Sequence, residues 1–442
     1  MPDENRNPVR EAAGGPPAES PEQLAAHLGR ELSASAVDGN GWTDLHYAAA
    51  LDWPDTARAL LAAGAPRDAR LRADQEPLGA ALLSTLSGCG QDRLRLLLRN
   101  GATPLHIAAV ANACEAVAVL LEGGADPDMA DAEATTPLHY AAAGHSGPAA
   151  AVLAARGADV TAATATGVTP LHAAARRDAV SVVRVLLDHG GDVEAQDAGG
   201  ETPLHRAASG DAVSSAALLL GRGAETGARA NDGAAPLHVA ALKDAGRVAQ
   251  VLLDHGADVA ARADNGVTPL HMAALKEATG VLAALLRHRA DLHAEDAAGQ
   301  APLHWAGIGD AAAAAAVLLD HGAHLHARAA DGSTPLHSAA FTNAAAGVRA
   351  LIERGADVHA TDAASLTPLH WAAAADAVSA AEVLLARGAG IDVRSSDGST
   401  PLREAARRQA WRAASVLLAH GADPQAMDQG GATRDTASET VH

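Results

Sequence analysis

Apolar and polar positions in this chain return in one fixed order every 33 residues. A leucine and a run of alanines make a first apolar stretch. A short polar break follows, and then a second apolar stretch closes on Leu-Leu-x-x-Gly-Ala, as in Leu252-Leu253-Asp254-His255-Gly256-Ala257. The tetrapeptide Thr-Pro-Leu-His opens the first stretch at Thr103, Thr136, Thr169, Thr202, Thr268, Thr334 and Thr367, and Ala-Pro-Leu-His opens it at Ala235 and Ala301. Degenerate copies begin at Thr43, Glu76 and Thr400, and every step is 33 residues except the 27 from Glu76 to Thr103, which makes twelve units. The spacing predicts two helices per unit. Thr136 suits a helix N-cap, whose hydroxyl takes an orphan N–H, and Pro137 suits the first helical position, where no N–H is needed. Leu138, Ala141 and Ala142 then face inward. Val180 to Leu187 reads as the second helix, with Gly190 as its left-handed C-terminal stop. Asp264-Asn265-Gly266 reads as a turn before the next threonine. No unit alone can bury its apolar face, so stacking must supply the core.

These motifs at this period resemble the ankyrin-repeat family, whose repeat carries Thr-Pro-Leu-His-x-Ala. The resemblance spans about residues 41–437. It implies an all-α repeat solenoid with β-turn fingers, in which the motif histidine bonds backbone around the finger and ties neighbouring repeats. It also implies partner binding on a concave face of finger tips and exposed inner-helix ends. Residues 21–40 read as an N-terminal capping half-repeat with a helix from Pro21 to Leu32, and Thr433 to Ala437 as a truncated C-terminal cap. Residues 1–20 and 438–442 read as disordered tails. In the unit at Glu76 the Leu97-Leu98 pair comes four residues late and Gly101 stands only two before Thr103. An irregular joint is therefore expected near 84–103.

Composition narrows the function classes. Hydrophobic residues make up 48% but aromatics only 2%, so alanine carries the apolar count and suits closely packed helices better than a wide enzyme core. The net charge of −20 disfavours nucleic acid, since a phosphate backbone would be repelled. Two cysteines, Cys89 and Cys114, allow at most one bridge, and the polar, Pro/Gly-rich start lacks the apolar core of a signal peptide. The longest apolar run, Ala311 to Leu319, is far short of a bilayer span. A monomer in the cytoplasm is the expectation.

Residues with chemical potential fall into register with the repeat. Ten histidines (His46, His106, His139, His172, His205, His238, His271, His304, His337 and His370) belong to the motif itself. A column of His293, His326 and His359 sits on successive fingers, too far apart for one metal ion, and of the nearby pairs only His324 and His326 could share one. Asp178, Asp211, Asp244, Glu277, Asp310 and Asp376, with Asn112 and Asn343, occupy the break between the two helices, where they are expected to tolerate unusual backbone and cap the outer helix. Neither cysteine has a His or Asp signature around it, and no phosphate-binding, metalloprotease or nucleophile-elbow motif occurs. No catalytic residue and no cofactor or metal is expected.

What varies between repeats marks the binding candidates. Arg176, Arg177, Lys243 and Lys276, joined by Arg206, form a basic middle suited to an acidic or phosphorylated segment of another protein. Trp305, Ile308, Phe341, Leu366 and Trp371 form an apolar patch toward the C-terminal half, and Trp42 stands on the first finger. The function so read is a scaffold or adaptor, with an inhibitory subunit or a microbial effector that masks its target as the alternative.

Overall fold

The computed structural model describes residues 25, 31–38, 41–71 and 101–427. They fall in two units, Met1–Asn231 and Asp232–His442. In the first unit the inner and outer helices alternate as α1 (Asp44–Leu51) and α2 (Pro54–Ala62), α3 (Pro104–Ala111) and α4 (Cys114–Glu122), α5 (Pro137–Ala143) and α6 (Gly147–Ala155), α7 (Pro170–Arg176) and α8 (Val180–Asp188), α9 (Pro203–Ser209) and α10 (Val213–Gly221). The second unit continues with α11 (Pro236–Leu242) and α12 (Gly246–Asp254), α13 (Pro269–Leu275) and α14 (Thr279–Arg287), α15 (Pro302–Ile308) and α16 (Ala312–Asp320). It ends with α17 (Pro335–Phe341) and α18 (Ala345–Glu353), α19 (Pro368–Ala374) and α20 (Val378–Ala386), α21 (Pro401–Arg407) and α22 (Trp411–Ala419). Each inner helix packs on the inner helix of the next repeat in its unit, and each outer helix on the next outer helix. This is an all-helical repeat solenoid.

Local chemistry sets each boundary. The threonine or alanine before each inner helix is extended (Thr136 φ −92°, ψ 167°), and in all but α1 a proline follows at the first helical position. Seven residues later the chain must reverse. It does so through a residue in the left-handed region: Asn112 (φ 59°), Asp178 (φ 57°), Asp244 (φ 55°), Asp310 (φ 54°) and Asp376 (φ 55°) all stand at this turn. Asp and Asn enter that region at least cost after glycine.

The side chains of this turn column cap the outer helix of the following repeat rather than their own, which corrects the sequence expectation. Asn112 Oδ1 accepts the Ala149 N–H, Asp178 Oδ1 the Ser215 N–H, Asp310 Oδ1 the Gly347 N–H and Asp376 Oδ1 the Ala413 N–H, at 3.2, 2.6, 2.7 and 2.7 Å. An outer helix starts with orphan N–H groups and has no capping side chain of its own. The preceding repeat provides it, worth about 1 kcal/mol per cap.

The core is thin and tight. Leu105, Leu138, Leu171 and Leu204 of the first unit and Leu237, Leu270, Leu303, Leu336, Leu369 and Leu402 of the second are 0–2% exposed, and alanine pairs such as Ala207-Ala208 and Ala240-Ala241 are fully buried. Small side chains let the inner helices approach, and the leucines fill the space between rows.

Helix α1 packs directly on α3 and α2 directly on α4. Leu71 and its partners close the finger across the gap: the Leu71 N–H donates to the Ala102 carbonyl (2.9 Å) and the Gly101 N–H to the Leu71 carbonyl (2.8 Å). Asp52 Oδ1 takes the Ala116 N–H at 3.0 Å, the cap that any repeat gives its immediate successor. The stack thus passes from the repeat at Thr43 to that at Thr103, and eleven helix pairs are present among the described residues. Residues 72–100, which hold Glu76, Cys89 and the Leu97-Leu98 pair, lie outside the described residues, as do the cap expected at Thr433–Ala437 and most of the helix expected from Pro21 to Leu32, of which Ala25 is helical and Glu31 and Leu32 are not.

The two motifs that begin with alanine lack the threonine hydroxyl. At Ala235 and Ala301 only the backbone N–H reaches the histidine (3.1 Å in each). Ala301→Thr, alone or with Ala235→Thr, is expected to stabilise the second unit by about 1 kcal/mol per site. Urea titration followed by circular dichroism checks this, and an unchanged midpoint would refute it.

Candidate partner-binding face

The motif histidines come first, because they decide how the fingers are held. The backbone N–H of Thr103 donates to His106 Nδ1 (3.1 Å), and the Thr103 hydroxyl lies 2.8 Å from the same nitrogen. A backbone N–H can only donate, so Nδ1 must be the acceptor and Nε2 carries the proton. Nε2 then donates to the Thr135 carbonyl at 2.9 Å, the residue just before the next repeat. The same tie joins His139 to Val168, His172 to Glu201, His271 to Gln300, His337 to Leu366 and His370 to Ser399, at 2.9 to 3.1 Å. Burial holds the rings neutral. It pulls the pKa of His46 and His106 down to about 4, and lowers that of His172, His271, His304, His337 and His370. At the last described motif Arg403 replaces histidine, and no following finger among the described residues offers a carbonyl there.

A second tie was not anticipated from the sequence. Asp131, Asp197, Asp296 and Asp362 each fold a finger by accepting two backbone N–H groups with Oδ1. Their Oδ2 atoms accept from the residue nine positions on: the Tyr140 hydroxyl, the Arg206 guanidinium, and Nε1 of Trp305 and Trp371 (2.9 Å each for Tyr140, Trp305 and Trp371). Arg206 also pairs with Glu201 at 3.0 Å, so it is bound inside its own repeat. The signal was legible as a fixed spacing of nine from the finger aspartate to a tyrosine, arginine or tryptophan.

The remaining candidates separate by unit. Arg176 and Arg177 end α7 in the first unit, exposed. Lys243 and Lys276 close α11 and α13 in the second unit, also exposed. The four are therefore taken as two pairs. Trp42 is corrected outright. It is 1% exposed, with its ring 5.1 Å from Tyr47 and 5.8 Å from His46, and it belongs to the packing of the first finger.

In the second unit the apolar candidates converge. Phe341 is 53% exposed, and its ring meets Trp371 edge-on at 5.8 Å. Trp371 is held in turn against His337 at 5.5 Å. Ile308 occupies the register of Phe341 on the preceding inner helix and is half-buried. Leu366 is half-buried, and its carbonyl takes the His337 tie. Sequence reading missed Leu242 and Leu275, which hold the same register on α11 and α13. A partly exposed apolar row (Leu242, Leu275, Ile308, Phe341) thus crosses four successive inner helices. The column at 33-residue spacing was the signal that would have found it.

The metal and nucleophile candidates have other surroundings. His293 meets His324 (ring centroids 3.9 Å) rather than His324 meeting His326, because the finger of one repeat reaches the start of the next. No group of three His, Cys, Asp or Glu among the described residues could hold a metal ion. Burial, with the Asp52 carboxylate nearby, pushes the Cys114 thiol up, the opposite of what a nucleophile needs. No described helix is long and apolar enough to cross a membrane.

Comparison with known proteins agrees with this architecture. Family models for ankyrin repeats in three copies match residues 79–164, 152–230, 215–296 and 270–362, a many-copy model matches 351–405, and a single-repeat model matches 397–429. No curated protein matches the chain. Ankyrin repeats are generally protein–protein interaction modules. With matches running from 79 to 429, the chain belongs to the ankyrin-repeat family.

Proposed function

We propose that this protein is a scaffold or adaptor that holds another protein against the inner-helix face of its second unit, without catalysis of its own. One observation carries the reading. Phe341, the single phenylalanine of the chain, stands 53% exposed against Trp371 and in line with Ile308, where burial in the fold gains it little. Exposed aromatics beside aliphatic side chains are the composition of binding hot spots. The repeat's own chemistry is already spent. Motif histidines tie fingers, finger aspartates fold them, and turn acids cap helices, so the recurring polar side chains serve the fold. Trp305 and Trp371 use their indole nitrogens internally and offer ring faces only. Arg176 and Arg177 in the first unit, and Lys243 and Lys276 in the second, are contacts for acidic or phosphorylated groups on a partner. The cytoplasm suits such a protein, and nucleic acid does not suit its charge of −20.

Affinity purification from the cells that make the protein tests the proposal. Phe341→Ala is expected to lose at least one partner held by the parent protein, while a substitution on the exposed outer-helix surface, Arg349→Ala, keeps it. A Phe341→Ala variant that retains every partner would remove the proposed face.

A further inference from the structure

We propose, resting on the reading just given, that the apolar row of the second unit receives an amphipathic α-helix of a partner. The row makes up the helix's apolar contact, and acidic side chains at one end of the helix meet Lys243 and Lys276. Three features of the face argue for this occupant.

The first is spacing. Leu242, Leu275, Ile308 and Phe341 each end one inner helix, and these helices pack in succession. Packed helices lie about 8–10 Å apart. A helix advances about 10.5 Å in seven residues, so side chains at heptad spacing meet successive rungs. Those three or four residues along meet the half-buried row beside it, Met272, Trp305 and Trp371.

The second is backbone. An extended segment needs a strand edge for its N–H and C=O groups. Among the described residues β pairing is limited to one isolated bridge, Val37 to Thr43, in the other unit. A helix satisfies its own backbone and asks the face only for side-chain contact.

The third is charge. Lys243 and Lys276 directly follow the rungs Leu242 and Leu275, whereas Gly309 and Thr342 follow Ile308 and Phe341. Neither lysine forms an ion pair among the described residues. Glu277, beside Lys276, spends its carboxylate on the Ala313 N–H at 2.7 Å. Both ammonium groups thus stand at one end of the row, interleaved with the Asp244 and Glu277 carboxylates, and the other end has none. Exposed ion pairs are weak, so the lysines orient the occupant and the apolar row supplies most of the affinity.

The probe is a labelled synthetic peptide of about three heptads, long enough for four rungs. It carries leucine at the first and fourth position of each heptad, glutamates in one terminal heptad, and glutamine and alanine elsewhere. Anisotropy titration of the full-length protein is expected to show saturable binding. Phe341→Asp should weaken it about 10-fold or more, and Lys243→Glu with Lys276→Glu about 3-fold, the latter loss shrinking at high salt. Thermal melts of each variant confirm that it is folded. A peptide broken by two prolines should not bind. If the broken peptide binds as well, or if neither Phe341→Asp nor the lysine pair changes affinity, the helix proposal falls. Photo-crosslinking from position 341 separates that failure from failure of the adaptor reading. A captured partner segment that is extended or basic overturns the helix and leaves the adaptor, whereas absence of any crosslink from position 341 overturns both.

Discussion

Acidification from about pH 7 to about pH 4 should unfold this protein through its histidines before its carboxylates are fully protonated. His46 and His106 are 0% exposed and have their pKa near 4, against about 6.5 in an unfolded chain. Between those values the unfolded chain binds more protons than the native one, so stability rises with pH across the window. The contribution is complete above about pH 6.5 and is lost as pH falls through about 4. It amounts to about 2 kcal/mol for each of these two rings by about pH 5, and about 3 kcal/mol at the lower limit. The rings of His172, His271, His304, His337 and His370 are shifted the same way and add to the slope. The cause is geometric as well as dielectric. A proton on Nδ1 would point at a backbone N–H that already occupies that lone pair, as at Thr103. Urea midpoints measured at successive pH values provide the check. A flat profile from about pH 7 to about pH 5 would show that the rings are not held neutral.

Gly309→Ala should cost about 1–3 kcal/mol, the usual penalty of overpacking. A Cβ there would lie 2.1 Å from the Leu275 carbonyl oxygen, and the equivalent atom at Gly210 would lie 1.9 Å from that of Arg176. Gly307 makes a similar approach on the other side, 2.7 Å from the Pro335 carbonyl. Helix α15 is thus drawn close to both neighbours. Other repeats carry Lys243, Lys276 or Thr342 at the register of Gly309, so a rung can stand further off, and the strain is relieved by opening the α13–α15 gap by about 1 Å. That gap separates Leu275 from Ile308, so the substitution should also weaken partner binding. Denaturant unfolding and the peptide titration read the two effects separately, and an unaltered unfolding midpoint would refute the contact.

What the sequence made legible was whatever repeats locally. Threonine cap, first-position proline, left-handed turn and the role of the histidine all follow from residues within one unit or at one fixed offset. The degenerate Glu-Pro-Leu-Gly at Glu76 lies outside the described residues, and on either side of it α1 closes on α3 through Leu71 and Gly101. Trp42 was misplaced for a related reason. A finger tip is exposed by default, but Tyr47 and His46 make a pocket for this one. The turn acids were assigned to the right place and the wrong helix, since their oxygens reach across a repeat boundary that sequence order hides. The apolar face was half legible: Phe341 and Ile308 stand out by type, whereas Leu242 and Leu275 are two leucines among many in a repeat rich in leucine.

The forward-reaching turn residues carry a consequence for how such a chain can change over generations. Asn112, Asp178 and Asp310 each complete a helix that begins 35 residues later in the chain. A gene duplication or deletion that moves whole 33-residue units leaves every donor facing an equivalent acceptor, wherever in the unit the breakpoint falls. One that moves any other length orphans a cap and a histidine tie together unless the odd stretch enters and leaves at a finger. Tract length is therefore free to drift in whole steps, and the joint between Leu71 and Gly101 shows that an out-of-step stretch of chain can be carried when it enters and leaves at a finger.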